Sequence, residues 1–323
     1  MVDNNGFTRT LGRSQITVSA LGLGCWAIGG PFWRDDQPVG WGNVNDEESI
    51  AAIHRALELG VNFFDTASVY GCGHSERVLG KALLGRREQV VIATKFGQVF
   101  DEETRQTKGY DTSPEHVRRS CEDSLRRLNV DYIDLFLLHV KEVELDKALI
   151  IRDALESLVN QGKIRFYGWS TDNTQNSRFF AEGPHCTAIQ QQLNIFEGNL
   201  ETLQVCEQYN LASINRSPLG MGLLTGKFSL ESKIPSDDVR SRRPALQAER
   251  AIRLGKLENI REILTRDGRT LAQGALGWLW ARSAATIPIP GFKSIQQVEE
   301  NIGAMHFGPL KADQMQEIST RLA

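Results

Sequence analysis

The sequence predicts an α/β protein, a single (β/α)8 TIM barrel spanning residues 1–323 with an N-terminal β-hairpin and long loops over its C-terminal rim. Three observations carry that prediction. Short apolar runs alternate with stretches of helical period along nearly the whole chain, the pattern of parallel strands joined by crossover helices. The alternation repeats about eight times, the number that closes a barrel. Three consecutive strand candidates also deliver polar groups at their ends: Phe63-Phe64-Asp65 runs on to Tyr70, Val90 to Lys95 ends in the lysine, and Ile133 to Leu138 runs into His139. Parallel neighbours would bring those side chains to one rim.

Composition allows such a barrel and excludes other classes. The chain has 323 residues, enough for a barrel of about 250 residues plus insertions. Hydrophobic residues make up 41% and charged residues 24%, which supports a large core and argues against disorder. A formal charge of −3 with no long basic run argues against nucleic acid as a partner. The cysteines, Cys25, Cys72, Cys121, Cys186 and Cys206, are odd in number and contain no C-x-x-C pair, as in a reducing compartment. Asp3, Arg9 and Arg13 break up the N-terminus, which has no signal-peptide core, and no apolar run approaches a membrane span of about 18 residues. A cytoplasmic location is expected, with no metal site and no membrane contact.

In order, residues 7–18 read as two short strands around a Gly12-Arg13 turn, a plug or a lid. The first core strand, Ala20 to Leu23, enters Gly22-Leu-Gly-Cys-Trp-Ala27. That stretch matches a dinucleotide fingerprint in letters, but Gly29-Gly30-Pro31 follows where the fingerprint requires a helix. Asn45 or Asp46 caps a helix with Ile50, Ile53 and Leu57 on its inner face, ending at Gly60. A helix from about Ser75 to Leu84 separates the Asp65 and Lys95 strands. Residues 97–113 read as a polar loop, and Ser113-Pro114-Glu115 opens the next helix with a cap, a proline and a first-turn acid. The run from Tyr132 to Leu138, broken only by Asp134, is that of a strand covered on both faces. Further units follow: helix 145–159 and strand 164–169, helix 174–182 and strand 187–190, helix 199–209 and strand 211–214. The Gly/Pro-rich segment 216–244 is expected to be a functional lid. Helices near 247–266 and 270–281, strand 286–289 and a helix from about 295 to 304 complete the count.

Six motifs in sequence order carry a resemblance: Asp65-Thr-Ala-x-x-Tyr70, Ala93-Thr-Lys95, Leu137-Leu-His139, Gly168-Trp-Ser170, Ser217-Pro-Leu-Gly-x-Gly-Leu-Leu-Thr-Gly226 and Ile289-Pro-Gly291. Together they resemble the aldo-keto reductase superfamily from about Leu11 to Ala304. The resemblance implies a barrel enzyme that moves a hydride between NADPH, or NADH, and an aldehyde or ketone, with Asp65, Tyr70, Lys95 and His139 as its catalytic tetrad. The residue chemistry agrees. Hydride addition to a carbonyl leaves negative charge on oxygen, which needs a proton donor. A tyrosine titrates near pH 10, and a nearby cation lowers such a value by about 1–3 units. Lys95 is the expected cation, held by Asp65, with His139 orienting the carbonyl; the hydride must come from a cofactor.

By the same resemblance Gly24, Cys25, Trp26 and Asp65 lie against the cofactor, and Ser170 and Gln190, with Asn194 nearby, hold the nicotinamide carboxamide. Arg216 stands where many relatives have an aromatic residue, and its guanidinium plane can stack on a ring. Ser217, Leu219, Gly220, Gly222 and Leu223, with Lys227, form the belt over the pyrophosphate. The cofactor-binding segment from Gly291 to Ser294 precedes a helix N-terminus, a natural anion site; Lys293 and Ser294 are expected at the adenosine 2′-phosphate, with Gln297, Glu300 and Asn301 of that helix reaching phosphate or adenine. Substrate walls are expected from Trp26, Trp33, Trp41 and Trp169, with Tyr70 and His139 at the reacting end, and aromatic walls favour apolar or aromatic carbonyl compounds. Cys72 is expected to be inert. A nicotinamide-binding regulatory subunit with little turnover is the alternative. A hydrolase with paired carboxylates is disfavoured, because Asp65 has no second strand-end acid in an adjacent unit.

Overall fold

The computed structural model describes residues 7–242 and 248–322. The end of the expected lid and the first residue of the helix expected near 247 lie outside the described residues. The chain opens with β1 (Thr8–Thr10) and β2 (Thr17–Ser19), followed by β3 (Leu23–Gly24) and a small hairpin of β4 (Trp33–Arg34) and β5 (Gln37–Pro38). Helix α1 (Asp46–Glu58) leads to β6 (Phe63–Asp65), and α2 (His74–Ala82) to β7 (Val91–Phe96). A second hairpin, β8 (Gln98–Asp101) and β9 (Gln106–Tyr110), precedes α3 (Pro114–Leu128) and β10 (Ile133–Leu138). Then come α4 (Leu145–Asn160), β11 (Ile164–Ser170), α5 (Thr174–Ala181), β12 (Cys186–Gln192), α6 (Leu200–Gln208) and β13 (Ala212–Arg216). Beyond the long segment lie α7 (Arg250–Leu264), α8 (Leu271–Arg282), β14 (Thr286–Pro288), α9 (Ile295–Phe307) and α10 (Ala312–Leu322).

The eight parallel strands run in the order β14-β13-β12-β11-β10-β7-β6-β3. The sheet closes on itself where Gly24 bridges Gly291 and the Gly22 and Gly24 N–H groups donate to Pro288 O and Pro290 O, each at 3.0 Å. A side chain at Gly24 would meet Ile289 O at 2.8 Å, so the seam requires glycine there. This is the expected (β/α)8 barrel.

Strand parity decides which residues face inward. Phe63, Val91, Ala93, Leu135, Leu137, Ala188, Ala212, Ile214 and Ile287 form a core inside the barrel. Their neighbours Phe64, Ile92, Phe96, Phe136, Leu138, Tyr167, Trp169 and Ile189 pack outward against the helices. With side chains alternating at period two, Asp65 and Lys95 share the inward parity of Phe63 and of Val91 and Ala93, as His139 follows Leu135 and Leu137. The first hairpin is a plug, not a lid: Leu11 and Val18 join the interior core, and Arg13 donates from Nε to Cys186 O at 2.7 Å and from Nη2 to Ala181 O at 2.7 Å. It seals the end where the strands begin.

Several helix starts follow their expected chemistry. The Asn45 side chain accepts from Glu48 N–H and that of Ser113 from His116 N–H, with Pro114 in the first turn. The polar stretch 97–113 differs from expectation, because it is the β8–β9 hairpin, joined to β4 through Trp33 and Gln106 in a four-stranded sheet above the rim. Asp101 Oδ1 accepts from the Glu103 and Thr104 N–H groups, and Arg105 turns left-handed at φ 54°, which makes the tight turn. Helix α10 is an element that the sequence reading did not anticipate.

Candidate active site

At the rim, β6, β7 and the loop after β6 bring three polar groups together. Lys95 Nζ donates to Asp65 Oδ1 at 2.6 Å, to Thr66 O at 2.7 Å and to the Tyr70 hydroxyl at 3.2 Å. The Lys95 side chain is 0% exposed and that of Asp65 2%. Burial opposes charge on both, and only mutual pairing with full hydrogen bonding holds an ion pair there. Gln190 on β12 completes the arrangement by donating to Asp65 Oδ2 at 2.7 Å, while Ser170 on β11 donates to Gln190 Oε1 at 3.4 Å. Burial alone would lower the lysine's pKa, but Asp65 and the phenol raise it above the ordinary value, so the ammonium persists.

The tyrosine departs from expectation. Burial pushes its pKa above 10, and the pull of Lys95 offsets only part of that rise, so the phenol keeps its proton. Its ring stacks on Trp26, with centroids 5.8 Å apart and planes at 18°, and meets His139 edge-on at 6.0 Å. His139 is held neutral: burial first, then Lys95, Arg216 and Arg34, push its pKa well below 6.5. Its Nδ1 is buried without a partner.

This cluster lies at a cavity of about 900 Å³. Gly24, Trp26, Trp41, Asp65, Tyr70, His139, Ser170 and Gln190 line it around the cluster; Arg216, Ser217, Leu219, Gly222 and Lys227 line it along the long segment; Gly291, Lys293, Gln297, Glu300 and Asn301 line it toward α9. Lys95 sits behind the wall, reaching the cavity through Tyr70. Two segments distant in sequence meet above: Val239 N–H donates to Gly40 O at 2.7 Å, and Trp41 bridges Asp238.

Other expected residues fall elsewhere. Trp169 is 0% exposed, its outward parity placing it against Phe180 of α5, and its indole N–H donates to Val140 O at 2.7 Å; it is barrel packing and not a substrate wall. Trp33 lies in the β4–β9 sheet away from the lining. Cys25, Gly220, Leu223 and Ser294 are also off the wall. Cys25 is fully buried, the Gly220 N–H is spent on Ser217 O at 2.9 Å, the Leu223 side chain is buried, and Ser294 caps α9 by accepting from Gln297 N–H at 3.3 Å. Asn194 is buried and holds the belt, its Nδ2 donating to Ser217 O at 3.0 Å. Arg216 pairs with Asp172 and donates to Gln192 Oε1 at 2.9 Å. Lys293 reaches Trp41 O and Asn43 O. Burial pushes the Cys72 thiol up to about 12, far from a reactive thiolate.

Sequence reasoning missed Phe32, Arg34, Val39, Gln98, Lys141 and the Asp238–Arg240 pair, all on the wall. Arg34 and Gln98 come from the two hairpins above the rim, whose pairing is long-range and leaves no local signature. Lys141, two residues beyond His139, was within reach of a strand-end argument.

A closed eight-stranded barrel with a buried Lys–Asp pair touching a tyrosine at a rim cavity defines a class, and the chain belongs to the Aldo/keto reductase family, whose sequence profile matches residues 20–322. Among its relatives, "Aldo-keto reductase yakc [NADP(+)]" of Schizosaccharomyces pombe is 31% identical over 308 residues, 92% of this chain and 86% of the relative. The glycerol dehydrogenase AKR11B4 of Gluconobacter oxydans superposes with a TM-score of 0.84 at 31% identity, over 98% of this chain and 95% of its own. An aldo-keto reductase from Klebsiella pneumoniae, solved in complex with NADPH, superposes at 0.70 with 26% identity, over 97% and 94%.

Proposed function

We propose that this protein reduces aldehydes or ketones to alcohols with NADPH, Tyr70 acting as general acid. The observation that carries the reading is the Lys95 ammonium bonded at once to Asp65 and the Tyr70 hydroxyl beside a ligand-sized cavity. The residues present fit the cofactor. The Ser170 hydroxyl and Gln190 amide line the cavity beside Asp65 and would hold the carboxamide, the 217–227 segment flanks the cavity, and Lys293 stands before the α9 N-terminus. The NADPH and NADP(+) named for relatives support the same choice.

When bound, NADPH supplies a hydride to the carbonyl carbon. The chain's residues manage the oxygen. Tyr70 donates its hydroxyl proton as negative charge develops there, and Lys95 stabilises the phenolate left behind. Asp65 fixes Lys95, and Gln190 fixes Asp65. His139, neutral across the physiological range, orients the carbonyl by a hydrogen bond while Tyr70 alone supplies the proton.

The test uses purified protein, NADPH and 4-nitrobenzaldehyde, followed by loss of NADPH absorbance. Turnover is expected, and Tyr70→Phe should lower kcat by about 10²- to 10⁴-fold while NADPH still binds. Binding without turnover of any carbonyl compound would favour a regulatory subunit on the same scaffold.

A further inference from the structure

The end of the cavity above Tyr70 carries two cations that the fold does not neutralise. Arg34, on β4, and Lys141, just past His139, both line it. Arg34 gives Nε to the Thr107 hydroxyl and Nη2 to Gln98 Oε1, each at 3.1 Å and each a neutral acceptor. Gln98 in turn donates to His139 O at 2.9 Å, so the guanidinium is fixed one side chain from the proposed carbonyl site. The Lys141 backbone carbonyl accepts from Thr171, but its ammonium has no ion pair or hydrogen bond among the described residues.

Of the other cations on the wall, Arg216 is answered by Asp172, Lys227 by Glu300 at 3.8 Å and Arg240 by Asp238 at 2.7 Å, Lys293 is held by the Trp41 and Asn43 carbonyls toward α9, and Arg242 lines the wall on the long segment. The wall's acids are spent in the same way, Asp65 on Lys95, Asp238 on Arg240 and Glu300 on Lys227. Asp35 and Asp36 follow Arg34 in sequence but form no ion pair with it, and Asp36 accepts from Gln106 at 3.1 Å. Unanswered cations beside Trp26, Phe32 and Val39 suit a molecule with an apolar body and an anionic end.

We propose that the substrates are aldehydes or ketones bearing a carboxylate or phosphate remote from the carbonyl, with Arg34 and Lys141 as the specificity-determining residues. This rests on the reductase reading above.

The experiment compares kcat/KM with NADPH for 4-carboxybenzaldehyde, 4-formylphenyl phosphate and the neutral methyl 4-formylbenzoate. At low salt the anionic compounds should be favoured, and the advantage should shrink as salt screens the exposed charges. Arg34→Gln and Lys141→Gln should each lower the anionic-to-neutral ratio by roughly fivefold, the scale of one partly exposed charged contact, mainly through KM. The Lys141 ammonium holds nothing in the fold, so that variant separates recognition from folding. The better of the two anions identifies the headgroup. A ratio unmoved by both substitutions, or equal losses for charged and neutral compounds, would overturn the proposal. Turnover of the ester with no preference for either anion would overturn this inference alone; no turnover of any of the three would overturn the reductase reading with it.

Discussion

Replacing Lys95 with methionine keeps most of the side chain's volume and removes its charge. Three hydrogen bonds go with it, and Asp65, 2% exposed, keeps only Gln190. Deleting one partner of a buried ion pair costs about 3–5 kcal/mol, because the other charge is left uncompensated. Unfolding entropy is roughly 2.1 cal/mol/K per residue, or about 0.7 kcal/mol/K for a chain of this length, so the cost corresponds to a fall in Tm of about 4–7 °C. Adding Asp65→Asn removes the stranded charge as well, and the double variant should regain most of the lost stability. Neither variant should regain turnover, since Tyr70 lacks its cation in both. Thermal melts of the wild type, both single variants and the double variant give the coupling directly. A double variant no more stable than Lys95→Met would refute the account of a paired, charged core.

Stability should also depend on pH through His139. An unfolded histidine takes up a proton near pH 6.5, whereas the folded one resists it to well below that value; acid therefore favours the unfolded state, and stability falls as pH drops from the ordinary histidine range toward the folded pKa. His139→Gln should flatten this slope in urea melts between about pH 7 and 5, and identical slopes would contradict it. For the cofactor, Lys293→Met should reduce the NADPH-over-NADH preference in kcat/KM by about tenfold, the scale of one charged contact to phosphate. An unchanged ratio would place the 2′-phosphate elsewhere.

The barrel was legible because its signals are local. Caps at Asn45 and Ser113, β-branched runs and glycine stops each report on their own neighbourhood, and the Asp65, Lys95 and His139 strand ends needed only the assumption of parallel neighbours. Trp169 shows where that assumption fails. It stands near a strand end like the others, but one step out of phase with Ser170, and parity turns it toward α5. The 97–113 hairpin escaped because a short polar ribbon has little apolar alternation and takes its partner, β4, from more than 60 residues away. Arg34 was invisible for the same reason. The tyrosine's pKa was misjudged in sign because the sequence names the neighbouring cation but not the depth at which both are buried.

The contact between Gly40 and Val239 joins segments far apart in the chain above the rim cavity. Parting that arch to seat a molecule as long as a dinucleotide would cost the Val239 amide its acceptor. Exchange of that single proton with solvent deuterium should therefore report the free energy of such an opening, and a seated cofactor should slow it.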